Sequence, residues 1–215
     1  MASGTKHAVI VSHPSLDSFN LSVARRYADV AQALGDEVVV RDLYRMNFDP
    51  VLKAEEQPDS EGPVLAEDVK AELAILSGAD VFVIVYPIWF GGPPAILKGY
   101  IDRVLGAGVT HSEVRDRRSH TLMEGKRLVS FTSSGNSRYW LEEQGAWMSL
   151  RNLFDTYLTN AFALAGNDHF HFDCVTGSTE EAMLGAYLRE VEDAARATCA
   201  RFAAGKSMPK YPLRD

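Results

Sequence analysis

The sequence predicts an α/β fold, a three-layer α/β/α sandwich around a five-stranded parallel sheet. Five unbroken apolar runs rich in β-branched and aromatic residues recur along the chain, which is typical of strands buried on both faces. Segments with helical spacing separate these runs, and parallel neighbours require such crossovers. With 215 residues, 46% of them hydrophobic, the chain is predicted to form one domain over 1–215.

The strands and helices alternate in a definite order. The predicted strands are 7–11 (HAVIV), 37–43 (EVVVRDL), 80–87 (DVFVIVYP), 127–133 (RLVSFTS) and 169–175 (HFHFDCV). The predicted helices are 21–34, 64–77, 93–106, 145–165 and 179–204. Gly35 provides a stop for the first helix. This count of elements fits the flavodoxin-like strand order 2-1-3-4-5.

Two stretches interrupt the alternation. Residues 44–63 are polar, acidic and proline-bearing, and residues 107–125 carry mixed charge without clear periodicity. Both are predicted to be long loops. Loops of this length serve as lids or interface arms, although solvated irregular connections are an equal alternative.

Charge and composition argue against several classes of partner. Lys and Arg number 22 against 29 Asp and Glu, a net charge of -7, which disfavours nucleic acid as a ligand. The sequence shows neither a secretory leader nor an apolar run long enough to span a membrane, so a cytoplasmic location is expected. Cys174 and Cys199 fit no metal or CxxC spacing, and both are expected to be reduced and partly buried thiols.

The loop after the first strand, SHPSLDSFN at 12–20, leads directly into a helix. In the 2-1-3-4-5 order, ligands bind beyond the carboxyl ends of strands one and three. A helix N-terminus there binds phosphate through its free N–H groups without needing a lysine. The loop lacks the glycine patterns of dinucleotide and NTP sites. In the alternative interpretation, Ser18 or Asn20 only caps the helix.

The loops after strands three and four, 86–104 and 132–140, reach the same edge of the sheet. Trp89 and Phe90 stand beside two glycines, an arrangement that suits a flat ring packed close to backbone. In the loop after strand four, small residues allow backbone N–H groups to approach a ligand, and Tyr139 offers a hydroxyl. Together the three loops predict a site for a phosphate-bearing planar ligand, a description that fits a flavin.

Four motifs resemble those of a known family and occur in the same order along the chain. They are HPSLDSFN (13–20), DLYRMNFDPVL (42–52), the P-x-W-F-G-x-P-x-x-x-L-K-G-x-x-D-R-V pattern (87–104) and TSSGNSRY (132–139). The chain resembles the NAD(P)H:quinone oxidoreductases of the DT-diaphorase kind, which have the flavodoxin-like fold. The resemblance runs in matching order from about residue 6 to residue 175.

The resemblance implies a homodimeric enzyme in which NAD(P)H reduces a bound FAD, or FMN as in shorter relatives, and the flavin reduces a quinone in a ping-pong cycle. It implies no metal site. Tyr139 matches the catalytic tyrosine that bonds near the pyrimidine edge of the flavin. The pyrophosphate contacts fall on His13, Ser18, Phe19 and Asn20, and the ring contacts on Pro87, Ile88, Trp89, Phe90, Thr132, Ser133, Ser134 and Gly135.

One position departs from the family pattern. Animal members carry a histidine six residues after the tyrosine, whereas this chain has Gly145 there. The resemblance favours FAD but leaves FMN open, and it does not decide between NADH and NADPH or name the physiological acceptor. Two other functions stay open: a regulatory flavoprotein of a potassium efflux system, and a flavodoxin-type electron carrier.

His169 and His171 stand two apart in the fifth predicted strand, so their side chains share one face of the sheet. Such a pair is compatible with a metal site, but the sequence offers no evident third ligand nearby. A role at the strand end or at an interface is therefore favoured.

Overall fold

A single sheet of five parallel strands organises the computed structural model, which describes residues 4–116 and 122–207. The strand order is β2-β1-β3-β4-β5, with every neighbouring pair parallel. The strands are Lys6–Val11 (β1), Glu37–Asp42 (β2), Val81–Pro87 (β3), Arg127–Ser133 (β4) and Gly166–Phe172 (β5). The predicted fold class and strand order are confirmed.

Helices cover both faces of the sheet. They are Phe19–Ala33 (α1), Glu67–Leu76 (α2), Ala95–Tyr100 (α3), His111–Asp116 (α4), Arg138–Glu143 (α5), Ala146–Leu150 (α6), Leu158–Ala161 (α7) and Glu181–Ser207 (α8). A 3-10 turn spans Ala54–Glu56, and π-helical turns span Ile101–Leu105 and Arg151–Tyr157. Among the described helices, none combines the length and apolar character needed to cross a bilayer.

Alternate residues of each central strand serve two separate cores. In β1, Ala8 and Ile10 face the core under α3, α6 and the turn between α6 and α7. Val9 and Val11 face the core under α1 and α8. All four side chains are almost completely buried. Burial on both faces explains why the strands read as continuous apolar runs.

Several predicted boundaries are wrong, for local reasons. The strand predicted at 169–175 pairs with β4 at 166–172 instead, because Asp173 accepts the Arg138 N–H at 2.8 Å and the chain turns away from the sheet. The helix predicted at 145–165 is interrupted by the π-helical turn Arg151–Tyr157.

Two short helices lie inside stretches predicted as loops. α4 occupies part of 107–125, of which residues 117–121 lie outside the described structure. α5 follows β4, where Ser137 caps it by accepting the Trp140 N–H at 3.2 Å. Six-residue helices span less than two turns, too little for a periodic apolar pattern to reveal them.

A polar cluster ties α8 and α1 to the amino end of the sheet. The two ring nitrogens of buried His7 lie 3.0 Å from the Tyr27 hydroxyl and 3.3 Å from Asp36 Oδ2. Cys199 lies beside them, and its ligating atom and those of His7 and Asp36 fall within 4.8 Å of one another. Burial raises the pKa of the Cys199 thiol to about 12. Both Cys174 and Cys199 are free thiols; Cys199 is buried, but the expected partial burial of Cys174 is wrong, since Cys174 is exposed.

Candidate active site

A cleft of about 510 Å³ opens at the carboxyl ends of β1, β3 and β4, where the strand order predicts a ligand site. Most of the predicted contact residues line it together. They are His13, Ser18, Phe19, Asn20, Pro87, Ile88, Trp89, Ser133, Ser134 and Gly135. The loop 175–179 and residues of α8 complete the wall. In the described part of the chain, neither lysine nor arginine lines this cleft.

The N-terminus of α1 points its backbone donors toward the cleft. Ser18 is the N-cap, and its Oγ accepts the Leu21 N–H at 3.2 Å. The N–H groups of Phe19 and Asn20 form no hydrogen bond within the described residues. Ser18 therefore caps the helix and also lines the cleft, so the capping interpretation is confirmed and phosphate binding stays a prediction. A phosphate placed here would meet N–H donors and the positive end of a 15-residue helix.

His13 is held as a neutral donor at the mouth of the cleft. Burial lowers its pKa, and the positive charge of Arg45 lowers the pKa further. Its Nδ1 accepts the Ser15 N–H at 3.1 Å, so the neutral ring carries its proton on Nε2. The ring also packs edge-on against Trp89, with centroids 5.7 Å apart. His13 can thus donate a hydrogen bond without requiring a positive charge.

Arg45 was missed by the sequence analysis, although it lies within the DLYRMNFDPVL motif. Its guanidinium donates to the carbonyl oxygens of His13 and Pro14 at 2.8 and 2.9 Å. These bonds attach the loop after β1 to the segment after β2. The arginine thus positions the cleft wall from outside, since it does not line the cleft.

A buried side-chain pair joins α1 to β4 beneath the cleft. Asn20 Nδ2 donates to Ser133 Oγ at 3.0 Å, and both residues are 4% exposed. Their contact spans 113 positions of sequence. It locks the helix N-terminus against the strand end, which keeps the donors of α1 in a fixed place.

The aromatic loop after β3 turns tightly. Trp89 and Gly92 exchange backbone hydrogen bonds of 2.8 and 3.1 Å, with Phe90 and Gly91 at the corner. Both corner residues have positive φ, 49° for Phe90 and 81° for Gly91, as a type I′ turn requires. This conformation is unfavourable for phenylalanine, whose side chain is fully exposed. An aromatic residue that is strained and exposed fits a role in binding rather than in folding.

Replacing Phe90 with glycine is expected to separate stability from binding. Phe90→Gly relieves the left-handed strain, so stability should rise by about 1 kcal/mol. The loss of the exposed ring should weaken binding of flat acceptors, seen as a higher KM. Thermal unfolding and steady-state kinetics measure the two effects. A variant that is less stable than the parent chain, with KM unchanged, would contradict both parts.

A second cavity of about 520 Å³ adjoins the cleft and shares part of its wall. Ile88, Ser134 and Gly135 line both spaces. The second cavity is otherwise lined mainly by apolar groups: Phe90, Gly91, Trp140, Leu141 and Ala146, together with Asn136 and Gln144. The site therefore has a polar end at α1 and an apolar, partly aromatic end at α5.

Two predicted contacts do not line either space. The Thr132 side chain is fully buried behind the wall, where its hydroxyl contacts His169 and His171. Tyr139 lies in the first turn of α5 and is 68% exposed. Gly145 links α5 to α6 with φ of 68°, a conformation that a histidine would adopt only with strain. The departure at this position thus has a backbone reason.

The lowered pKa of His171 predicts that the fold loses stability in acid. Burial lowers its pKa to about 4, and the charges of His169 and Arg138 act in the same direction. The unfolded chain therefore takes up this proton first, near pH 6.5, so stability is complete above that pH and declines toward pH 4. Allowing for partial exposure, we expect a loss of about 1 kcal/mol between about pH 7 and about pH 5.

Urea unfolding of cofactor-free protein at the two pH values measures this loss. His171→Gln should remove it, whereas His111→Gln, at an exposed position, should leave it intact. Equal pH dependence in the His171→Gln variant and the parent chain would refute the assignment.

Comparison with known proteins agrees with this geometry. The family model described as flavodoxin-like fold matches residues 5–196. The chain belongs to this flavodoxin-like family. An uncharacterized NAD(P)H oxidoreductase of Haemophilus influenzae is 32% identical over 205 residues, covering 95% of each chain. Rat NAD(P)H dehydrogenase [quinone] 1 is 32% identical over 152 residues, which are 62% of this chain and 56% of that enzyme.

Among solved structures, a similar flavodoxin-like fold occurs in an FMN-dependent NADH-azoreductase from Bacillus anthracis, determined in complex with FMN. Its TM-score is 0.65 and its sequence identity 17%, covering 91% of this chain and 99% of that one. At this identity the likeness concerns the fold alone.

Proposed function

We propose that this chain, acting as one domain, is a flavin-dependent NAD(P)H oxidoreductase. It would pass two electrons as hydride from NAD(P)H to the flavin, and then to quinones or similar flat aromatic acceptors, in a ping-pong cycle. The observation that carries this proposal is the pair of adjoining cavities sharing Ile88, Ser134 and Gly135. The Haemophilus influenzae and rat proteins described above are both named for the use of NAD(P)H.

The polar end suits a phosphate group and the apolar end a tricyclic ring. At the polar end stand the N–H groups of Phe19 and Asn20, the Ser18 hydroxyl and His13 Nε2–H. Donors near the ring would favour the reduced, negatively charged flavin, since preorganised dipoles stabilise charge where it develops. The Gly135 N–H is a candidate for that role, since it donates to no described residue, whereas the Ser134 N–H already donates to the Phe172 carbonyl oxygen at 3.0 Å.

FAD is the flavin that we propose, with FMN as the alternative outcome of the test. The 510 Å³ cleft continues past the N-terminus of α1 to the loop 175–179 and to Leu184 and Leu188 of α8. This part of the cleft leaves room beyond a phosphate bound at α1, and the nucleotide half of FAD would occupy that room.

Tyr139 stays a prediction as the catalytic residue. Its exposed hydroxyl would have to reach the pyrimidine edge of the flavin from the first turn of α5. Arg138, its neighbour, forms an ion pair with Glu142 at 2.9 Å, so it is not a free cation for a cofactor phosphate.

A homodimer also belongs to this proposal. An apolar groove of about 350 Å³ is lined by Ile101, Val109, Leu153 and Tyr157 among others. Leu153 and Tyr157 are more than half exposed, which is unusual for large apolar side chains next to each other in a monomer. Light scattering on the eluting protein would show twice the chain mass if the proposal is right.

Two measurements test the function. Heat release of the cofactor from purified protein, followed by chromatography, should give one flavin per chain and identify it as FAD or FMN. NAD(P)H oxidation should be fast with a quinone and slow without it. Colourless protein that binds neither flavin at micromolar concentration would overturn the proposal.

A further inference from the structure

A continuous chain of buried and partly buried side chains runs behind the cleft wall. His169 Nδ1 lies 2.9 Å from both carboxylate oxygens of Asp155, and His169 Nε2 lies 2.8 Å from Thr132 Oγ1. Thr132 Oγ1 lies 2.9 Å from His171 Nδ1, and His171 Nε2 lies 3.2 Å from Ser134 Oγ. Every contact is within hydrogen-bond distance.

The two ends of this chain lie at different cavities. Ser134 lines both the cleft and the adjoining second cavity. At the other end, the Asp155 side chain is 3% exposed and forms an ion pair with Arg151, which is 41% exposed. Arg151 lines a separate cavity of about 500 Å³ with Arg138 and Trp147. The side chains thus connect a surface cavity with the candidate active site.

We propose that Asp155, His169, Thr132, His171 and Ser134 form a proton relay that delivers a proton to the acceptor bound in the cleft. This inference rests on the proposed function, because reducing a quinone with NAD(P)H consumes one proton besides the hydride. NAD(P)H, the quinone and the proton give NAD(P)⁺ and the quinol. Ser134 is the only member of the relay that lines the cleft, so the other four are positioning residues.

Each proton that leaves one group of the relay is taken up by the next. In the loaded state, His169 is an imidazolium whose Nδ1–H is held by the Asp155 carboxylate, an arrangement that stabilises the charge as in a catalytic triad. His169 passes its Nε2 proton to Thr132 Oγ1, and Thr132 passes its own proton to His171 Nδ1. His171 then passes its Nε2 proton to Ser134 Oγ, and the Ser134 proton leaves for the cleft.

After delivery each group again carries its ordinary number of protons. His169 is neutral with its proton on Nδ1, and His171 has exchanged an Nε2 proton for an Nδ1 proton. Ser134 must turn its hydroxyl away from the Asn136 carbonyl, which it contacts at 2.7 Å. Between turnovers the same transfers run in reverse: water in the cleft gives a proton to Ser134, His171 regains its Nε2 proton from Ser134, and His169 Nε2 regains its proton through Thr132.

We place the stored proton on His169 because, of the two histidines in the relay, only His169 contacts a carboxylate. His171 faces His169, Arg138 and Asp173, and its lowered pKa keeps it neutral, so it passes a proton without retaining it. Asp155 faces Arg151, His169 and the buried Tyr86. The Asp155 carboxylate thus places both of its oxygens 2.9 Å from His169 Nδ1, where they accept a hydrogen bond from that nitrogen.

Thr132 is the link between the two histidines of the relay. Breaking it at Thr132 tests the proposal with little change of shape. Thr132→Val removes the hydroxyl shared by both histidines and keeps the branched side chain. We expect kcat for quinone reduction to fall about 100-fold, with flavin affinity within about 3-fold of the parent chain.

The pH profile distinguishes a relay from a structural role. In Thr132→Val the proton must come from bulk water, so kcat should fall with rising pH between about pH 6 and about pH 8, where the parent chain is flat. Thr132→Ser restores a hydroxyl and should recover most of the rate. Ser130→Ala is the matched control, because it removes a buried hydroxyl from the same face of β4 that has no partner among the described residues.

Each outcome has one meaning. A Thr132→Val enzyme that binds flavin and keeps both the parent kcat and the flat pH profile overturns the relay. A loss of rate equal to that of Ser130→Ala overturns it as well. His169→Gln, which leaves Thr132 in place, should reproduce the pH dependence if the valine variant folds poorly. A parent chain that binds flavin without reducing quinones would instead contradict the proposed function.

Discussion

Arg103→Ala is expected to destabilise the protein by about 3–5 kcal/mol. The guanidinium is 2% exposed and forms ion pairs with Glu56 at 2.7 Å and with Asp68 at 2.8 Å. Glu56 is equally buried, so removing the arginine would leave an uncompensated carboxylate in the interior. Urea unfolding at neutral pH, with the linear extrapolation to water, measures the loss.

A surface ion pair one turn away provides the control. Lys98 and Asp102 contact each other at 2.6 Å, with side chains 54% and 39% exposed. Lys98→Ala should therefore change stability by less than about 1 kcal/mol. If the two alanine variants lose the same amount of stability, the buried network around Arg103 does not hold the fold as argued.

Gly99→Ala is expected to be nearly as damaging, by about 3 kcal/mol. A Cβ at this position would lie 2.2 Å from the Pro50 carbonyl oxygen and 2.5 Å from its Cα. Both are backbone atoms, so relief requires moving the segment after β2 or helix α3. The glycine of the L-K-G motif is therefore explained by close backbone approach, not by flexibility.

Gly185→Ala serves as the opposite control. Gly185 lies inside α8, and its nearest neighbour to an added Cβ is the end of the Arg189 side chain at 3.7 Å. The substitution should raise the free energy of unfolding by about 0.5–1 kcal/mol, because alanine favours a helix over glycine. Comparable loss in both variants would show that the contact with Pro50 does not decide the outcome at Gly99.

Gly99 and Arg103 share one structural task. Both hold the irregular segment 44–63 against α3, through Pro50 and through Glu56. The same segment carries Arg45, which donates to the loop after β1 that lines the cleft. The long loop predicted between β2 and α2 is thus a packed connection whose ends support the candidate site.

Much of the candidate site could be predicted from sequence because it follows from local order. The cleft forms where the loops after β1, β3 and β4 converge, and their positions follow from five strands in the order 2-1-3-4-5. Phe19 and Asn20 line it because they begin a helix. Phe90 and Tyr139 were harder to place, because their exposure depends on a tight turn and on a short helix.

The sequence by itself determined the alternating elements, the parallel sheet and most of the residues that line the candidate site at its edge. These features follow from hydrophobic periodicity within each strand or helix and from the order of the elements along the chain. Only the tertiary structure showed that Thr132 joins two histidines, 37 and 39 positions away, to Asp155 and Ser134. Contacts between distant residues depend on strand register and helix packing, since these decide which side chains meet in the interior.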